Sequence, residues 1–399
     1  MCDMKTEKIL MVHNYYQIPG GEDTVVANEM KLLKEHGHEV LLYSRNNSEL
    51  KSFSKLQKLL LPLTTVFNPK TYKEIKTIIQ KENIDIVHVH NTLNLVSPAV
   101  YYAARNCKVP IVQTVHNFRL VCPAATFYRD GHICEDCVEK GLFCAVKHNC
   151  YRGSKLQTLA CVISTKIHRL LGIYQKLNYI CLAEFNKEKL LQVNKTGKKP
   201  IIDPQKVFVK PNMTFEQIEK SECTKESYFL FAGRVEKIKG MEILLNAFEK
   251  LPQYRLIVAG TGTQLEEYQK HVEDHGISNV EFLGFVERPQ LQQLMQSAKA
   301  VIVPSQWYET FGMTVIEAFA LGTPVIGADI GNLSSLIKEG VNGWKFRYDS
   351  ADELAEKIVE CSKTLDESLH VQCEQNFFPE GNYQQLMEIY QCAKEYNND

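Results

Sequence analysis

No stretch of this 399-residue sequence offers the ~20 uninterrupted apolar residues that a membrane-spanning helix needs, which excludes such a helix from these residues. The opening MCDMKTEKILMVHN lacks a long apolar run ending in a small-residue cleavage site and passes straight into a strand pattern, so no secretory leader is expected. Short repeats and low-complexity tracts are missing, which argues against solenoids and disordered linkers. An excess of one charge is missing as well. Lys and Arg number 46 against 47 Asp and Glu, so nothing calls for a nucleic-acid partner. There is no Asp-x-Asp pair of the kind that holds a divalent cation on a phosphate substrate.

The even balance conceals a split. Residues 1–200 hold 28 Lys and Arg against 17 Asp and Glu, and the remainder holds 18 against 30. Either the two halves face different partners, the basic one meeting an anionic acceptor or a membrane surface, or solvated surface charge has drifted. The 13 cysteines are an odd number. With no leader expected, a reducing cytoplasmic location and mostly free thiols are the expectation.

The length suits two domains. Short apolar runs alternate with helical periodicity through both halves. In the first half, Lys8–Asn14, His38–Ser44, Asp85–His90, Pro110–His116 and Tyr179–Leu182 read as buried strands. In the second, Tyr228–Ala232, Arg255–Ala259, Val280–Leu283, Ala300–Val303 and Pro324–Ile326 do so, with helices over Met241–Leu251, Leu265–His275 and Arg288–Ala298 between them. This alternation predicts an α/β chain of two Rossmann-like domains with parallel sheets, whose ligands bind beyond the carboxyl ends of the strands, in a central cleft. The expected domains are 1–203, with a cysteine-rich insertion at 118–155, and 204–377. A boundary falls near Lys198–Gln205, and a C-terminal helix over 378–399 returns to the first domain.

Three motifs carry chemistry. WYETFGMTVIEAFALG, Trp307–Gly322, follows a strand and opens a helix near Gly312. The N–H groups of Phe311, Gly312 and Met313 then face outward at a helix start, where they can donate to phosphate oxygens. Glu309 lies before that helix and Glu317 inside it, each able to accept two hydrogen bonds from vicinal hydroxyls. GRVEKIKG, Gly233–Gly240, puts Arg234 and Lys239 at another strand's end, where a fork and a point charge can neutralise a diphosphate leaving group without a metal. His116 ends an apolar strand, a place where a histidine is more often structural than catalytic.

These residues resemble a known family. GGEDTVVANEMKLLKEHGHEV, VHVHN, TVHN, FLFAGRVEKIKGMEILLNAF, VAGTG, VEFLGFV and PSQWYETFGMTVIEAFALGTPVI occur in the order found in family-4 retaining glycosyltransferases of the GT-B fold. The resemblance implies that Arg234 and Lys239 hold the donor diphosphate, and that Phe311–Met313 hold phosphate and sugar. It gives Glu309 the sugar hydroxyls, Glu317 the ribose, and Gly284, Phe285 and Val286 the base. Gly20 and Gly21 would lie near the phosphates, and His116 near the reacting centre. The family usually has His-Asp where this chain has His116-Asn117, which puts a role for the second position in doubt.

The implied reaction moves a hexose from a UDP- or GDP-linked donor to a glycan or polyprenyl-lipid-linked acceptor, with retention, no catalytic metal and no required cofactor, in surface polysaccharide biosynthesis. The alternative of the same fold is a nucleotide-sugar 2-epimerase, which lacks the combination of GR-x4-KG and E-x7-E.

Two features stay open. Cys122, Cys134, Cys137 and Cys150 have the spacing of a structural zinc site, with Cys144 or His148 as substitutes; the alternatives are free thiols in a packed loop or a disulfide. The pattern CP…RDG..CE.C…H.CYR also looks like a subgroup of these transferases. Lys51–Phe67 and Lys155–Lys176 mix basic and apolar residues. Either they lie on an anionic bilayer at the inner face of the cytoplasmic membrane, or they are amphipathic helices packed on the sheet.

Overall fold

A computed structural model describes residues 6–17, 20–196, 199–215, 225–364, 371 and 373–398. The chain begins with β1 (Lys8–Tyr15), α1 (Gly21–Glu35), β2 (Glu39–Asn46), α2 (Lys55–Val66), α3 (Pro69–Glu82), β3 (Ile86–Val89), α4 (Ala99–Asn106) and β4 (Ile111–Val115). A two-stranded hairpin follows, β5 (Tyr128–Arg129) and β6 (His132–Ile133). Then come α5 (Asp136–Glu139), α6 (Phe143–Lys147), α7 (Lys155–Leu170), β7 (Asn178–Cys181), α8 (Glu184–Leu191) and β8 (Val207–Val209). The later chain gives β9 (Tyr228–Ala232), α9 (Met241–Glu249), β10 (Arg255–Ala259), α10 (Leu265–Asp274), β11 (Val280–Gly284), α11 (Arg288–Ser297) and β12 (Ala300–Val303). It ends with α12 (Met313–Ala320), β13 (Val325–Ala328), α13 (Gly331–Leu336), β14 (Gly343–Phe346), α14 (Ala351–Thr364) and α15 (Pro379–Asn398).

Two compact units result. The first comprises Met1–Phe127, Glu135–Met213 and Pro379–Asp399; the second comprises Tyr128–Cys134 and Thr214–Phe378. The first unit's sheet runs β2-β1-β3-β4-β7-β8 and the second's β11-β10-β9-β12-β13-β14, with every pair parallel. The inner strands are apolar on both faces, as the continuous runs IVHV, IVQTV and AVIV require when helices cover both sides. Leu244, Leu245 and Phe248 of α9 pack on Phe229 and Leu230 of β9 in the second core.

Sequence periodicity finds most strands within a residue or two, but not the hairpin β5–β6, nor β8 or β14. β8 is an apolar run of only three residues, two of them half-buried, too short to mark a strand by itself. It nevertheless completes the first sheet, so the first unit extends to Met213, beyond the expected 203; Lys198 of the expected linker lies outside the described residues. The C-terminal helix α15 belongs to the first unit. There Tyr383 bonds His38 Nε2 at 2.8 Å, Tyr390 bonds His88 Nδ1 at 2.8 Å, and Lys394 pairs with Glu7 at 2.5 Å.

Within the second unit the loops beyond β9, β10 and β12 are locked together. Gly233 N–H donates to Ala259 O at 3.0 Å, Val235 N–H to Thr261 O at 3.0 Å and Gln306 N–H to Ile238 O at 2.9 Å. Gly240 takes a left-handed φ of 83° so close to the next loop that a Cβ would lie 1.8 Å from Pro304 O. Gly37 has the same φ with nothing within 4 Å of a Cβ. Gly37→Ala should therefore cost about 1 kcal/mol for the left-handed backbone alone, and Gly240→Ala at least ~2 kcal/mol more. Urea unfolding of both variants checks this; equal losses would show that the loop packing at Gly240 is slack.

Candidate active site

In the second unit, β9, β10 and β11 step outward in one direction and β12, β13 and β14 in the other, so the strand order reverses between β9 and β12. Open parallel sheets bind ligands beyond the carboxyl ends of the strands at such a point. The loops leaving β9 and β12 carry Lys239 and Glu309, and Lys239 Nζ lies 2.6 Å from Glu309 Oε1. Ser305 Oγ donates to the same oxygen at 2.7 Å and Trp307 Nε1 at 2.9 Å. Burial alone would push the Glu309 carboxyl up, but the Lys239 charge and these three donors outweigh it and hold the group below its ordinary range. Lys239 Nζ also stands 5.2 Å from the centre of the Trp307 ring.

The remaining predicted residues of this unit surround that pair more loosely. Arg234 follows β9, is exposed, and pairs with Glu236 at 3.0 Å. An exposed pair is worth ~1 kcal/mol or less, so Arg234 can exchange Glu236 for another anion cheaply. Gly312 caps α12 in a left-handed conformation, φ 98° and ψ 57°, with no side-chain cap and no acidic residue in the first turn. The helix start, with Met313 as its first residue, therefore has no carboxylate of its own first turn to offset its positive end. Phe311 is buried, and its carbonyl accepts from Asn332 Nδ2 at 2.5 Å. Glu317, one turn inside α12, pairs with Arg288 at 3.1 Å rather than with Lys239. Gly284 ends β11 with φ 69°, Val286 packs on the core, and Phe285 is 73% exposed, an apolar ring left open to solvent.

The first unit repeats the pattern, with its reversal between β1 and β3. Gly20 precedes α1 and donates its N–H to Asp23 Oδ2 at 3.1 Å, while Gly21 opens the helix. His116 follows β4 and lines a cavity of about 100 Å³ with His90, Asn91, Asn117 and Arg119. Ring nitrogens His90 Nδ1 and His116 Nε2 are 2.9 Å apart. Burial, reinforced by the neighbouring His90, keeps His116 well below the ordinary histidine range, so it is neutral. Asn117, where the family usually has Asp, reaches the Tyr16 hydroxyl at 3.5 Å.

Sequence reasoning missed a set of buried polar residues beside these. His13 Nε2 meets Asp23 Oδ1 at 2.7 Å, and the Tyr16 hydroxyl donates to Glu22 Oε2 at 3.1 Å. Burial pushes Glu22 up to about 8. The only signal was the acidic pair directly after Gly20-Gly21, which reads as ordinary helix-start chemistry. Among the described residues, the one group of three His, Cys, Asp or Glu side chains close enough to share an ion is Glu29, His88 and His90. Cys122, Cys134, Cys137 and Cys150 form no such group. Burial pushes the Cys137 thiol up to about 12, with the neighbouring Cys122, Cys150 and Cys144 adding to the shift. Cys137 and Cys150 also pack against Leu142, Ala145 and Val162.

Two family models match the sequence, glycosyl transferases group 1 over residues 213–376 and glycosyltransferase family 4 over residues 19–132. An uncharacterised glycosyltransferase of Methanocaldococcus jannaschii is 38% identical over 122 residues, 30% of this chain and 31% of that protein. The D-inositol 3-phosphate glycosyltransferase of Mycolicibacterium paratuberculosis is 38% identical over 135 residues, 32% of this chain and 30% of that protein. The match thus spans about a third of these relatives' length. A second uncharacterised M. jannaschii glycosyltransferase is 24% identical over 88% of both chains. Among solved structures, Anabaena HepE in complex with UDP aligns with a TM-score of 0.66 at 18% identity, over 96% of this chain and 100% of its own. The lipopolysaccharide outer core galactosyltransferase WaaB aligns at 0.63 and 16% identity, over 96% of this chain and 99% of its own.

The Glu22 carboxyl has a pH signature. In the folded chain it keeps its proton up to about 8, whereas unfolded it ionises in the ordinary carboxyl range. The folded state binds the extra proton between those limits, so this group's contribution to stability falls as pH rises through that window. Glu22→Gln removes the titration. Its melting temperature relative to the parent should rise between pH 5 and pH 8; a constant offset would mean that Glu22 is ionised in the fold.

Proposed function

The chain belongs to the family-4, group 1 glycosyltransferases of the GT-B fold, and from that premise we propose that it transfers a hexose from a nucleotide-diphosphate sugar to a glycan or lipid-linked acceptor, with retention and without a catalytic metal. One observation carries the reading: Lys239 and Glu309 meet at the point where the second sheet reverses its strand order. The second unit holds the donor. Lys239 keeps one N–H on Glu309 and has two more for the diphosphate. Arg234 leaves Glu236 to join it, and the N–H groups at the start of α12 take further phosphate oxygens. Glu309, held ionised, accepts from hydroxyls of the sugar, and Glu317 accepts from the ribose. Exposed Phe285 offers a surface for the base. UDP or UDP-glucose is bound in the Anabaena HepE structures, which favours a uridine diphosphate donor here.

As the glycosidic bond breaks, negative charge gathers on the leaving diphosphate, and fixed cations lower that barrier without a metal. The acceptor hydroxyl attacks from the leaving group's side and gives its proton to the departing phosphate, so the scheme needs no protein nucleophile. Addition of nucleotide at a hundred times its Kd should stabilise the fold by ~2.7 kcal/mol. A thermal-shift panel of UDP, GDP and ADP sugars identifies the base. Glu309→Ala should cut turnover more than Glu317→Ala, and EDTA should leave transfer intact. EDTA inhibition reversed by Mg²⁺ would overturn the metal-free scheme, and sugar inversion in donor alone would mark an epimerase.

We also propose that the first unit meets a lipid surface. No helix among the described residues is long and apolar enough to cross a membrane. However, α2 buries only Thr65, while Leu56, Leu59, Leu60 and Leu63 face out. α7 packs beside α2, with His168 bonded to Val66 O at 2.9 Å, and it exposes Leu156, Ile163, Ile167 and Leu170, the last by 86%. Exposed Lys51, Lys55, Lys58, Lys155 and Lys166 lie on the same segments. A large apolar face among lysines suits an anionic leaflet. Thr65 of α2 and Cys161, Ser164 and Thr165 of α7 also line the cavity at His116, which favours an acceptor whose lipid lies in that leaflet. The protein should sediment with phosphatidylglycerol vesicles and be released by high salt, and Leu59→Ser with Leu170→Ser should weaken binding at least tenfold. Absence of salt-sensitive binding would discard this part.

A further inference from the structure

A buried polar chain runs from α1 to His116 through two residues given no role above. Glu29, on α1, is 3% exposed, and its two oxygens face different partners. Oε1 lies 3.1 Å from Lys210 Nζ, and Oε2 lies 3.3 Å from His90 Nε2. The other ring nitrogen of His90 meets His116 Nε2 at 2.9 Å, with ring centres 5.2 Å apart and planes 20° apart. The two imidazoles therefore meet edge to edge in nearly one plane, as a nitrogen-to-nitrogen hydrogen bond requires.

Two proton arrangements are open to this chain. If His90 carried its proton on Nδ1, it would donate to His116, and its bare Nε2 lone pair would face the Glu29 carboxylate. Two buried acceptors would then oppose each other at 3.3 Å. If His90 carries its proton on Nε2, that N–H lies on the Glu29 side, 3.3 Å from the carboxylate, and the bare Nδ1 accepts the Nε2–H of His116. The 3.3 Å contact does not have hydrogen-bond geometry, so Glu29 Oε2 and His90 Nε2 are both buried without a hydrogen bond, and a lone pair facing the carboxylate there is costly. The second arrangement sets an N–H dipole instead of a lone pair against the Glu29 charge and is favoured electrostatically. Lys210, itself buried, keeps Glu29 ionised by supplying the positive charge that a metal ion would otherwise bring to Glu29, His88 and His90. His88 is engaged elsewhere, with Tyr390 and Thr114 each at 2.8 Å.

We propose that Glu29 and His90 are positioning residues that fix His116 as its Nε2–H tautomer and so present a bare Nδ1 lone pair to a substrate hydroxyl. The inference rests on the transfer reading for what the lone pair does, but not for the tautomer itself. His116 lines the cavity, and among the described residues nothing hydrogen-bonds its Nδ1. A neutral ring with its acceptor facing the ligand can orient a hydroxyl or take up its proton, whereas the opposite tautomer could only donate.

Glu29→Gln tests this with little change of shape. Lys210 claims the amide oxygen, so the amide NH₂ must face His90 Nε2. His90 then carries its proton on Nδ1, and His116 is driven to its Nδ1–H form. Long-range ¹H–¹⁵N spectra of histidine-labelled full-length protein, assigned with His90→Asn and His116→Asn, distinguish protonated from bare ring nitrogens. The parent should show Nε2–H on both rings, and Glu29→Gln should show both reversed, with kcat/KM down at least tenfold and the nucleotide thermal shift kept. A proton on His116 Nδ1 in the parent overturns the proposal, as does a Glu29→Gln protein with unaltered tautomers and turnover. If Glu29→Gln does not fold, the parent spectrum still decides. If the parent transfers no sugar, the spectra still report the tautomers, so failure of the transfer reading and failure of this one are separable.

Discussion

Parallel strand pairing is the constraint on which the rest depends. When every strand of a sheet points the same way, every strand exits on the same edge, and residues far apart in sequence are delivered there together. Lys239 and Glu309 are seventy positions apart in the chain. They meet at 2.6 Å because β9 and β12 are neighbours in the sheet and both loops leave on that edge. The strand-order reversal opens the space between them, since no crossover helix lies above that pair of strands. Gly240 and Gly260 let neighbouring loops approach until a Cβ on either would lie 1.8 Å from a backbone oxygen, which makes the edge a rigid shelf.

The two units use buried charge differently. In the second, the central carboxylate is gripped by Lys239, Ser305 and Trp307, while the outer cation Arg234 is exposed and pairs with half-buried Glu236. A fixed acceptor beside a movable cation suits a ligand that carries both hydroxyls and phosphates. In the first unit, Arg119 lines the cavity and donates to Pro123 O at 2.9 Å. That unit's histidines 13, 88, 90 and 116 sit among Asp23, Glu29 and the hydroxyls of Thr114 and Tyr390, and most of their ring nitrogens are already engaged. Such an arrangement settles which atoms carry protons before any ligand arrives.

Much of this was legible in the sequence because the physics is local. A run such as VIVPS followed by a glycine at a helix start announces a strand, a turn and an outward row of N–H groups, and the structure places Gly312 there with φ 98°. Glu309 and Glu317 flank that start as their spacing requires. What was not legible is long-range. Nothing near Glu29 in sequence says that an amphipathic helix directs this carboxylate inward to Lys210 and His90, because the partners lie just beyond β3 and β8. Periodicity marked Lys51–Phe67 and Lys155–Lys176 as amphipathic but could not say which face is covered; α2 leaves its leucines outside. The cysteine spacing suggested a shared ion, but spacing does not say what else these side chains pack against. Cys137 and Cys150 turn to an apolar patch, and the hairpin β5–β6, just before Cys134, joins the second unit.

The C-terminal helix shows how the two kinds of information combine. Its sequence reads only as a helix with scattered tyrosines. In the fold those tyrosines are the polar ends of the first unit's core: Tyr383 satisfies His38, and Tyr390 satisfies His88 beside Glu29. Without Tyr390, His88 Nδ1 would still face Glu29 Oε2, 3.7 Å away, and would compete with His90 for that oxygen. The last helix of the chain thus closes the sheet's flank and also leaves the Glu29 carboxylate to His90, the ring that leads to His116. Packing and proton placement are in this way set by the same side chain, and a helix remote from the cavity in sequence becomes part of what defines the cavity's chemistry.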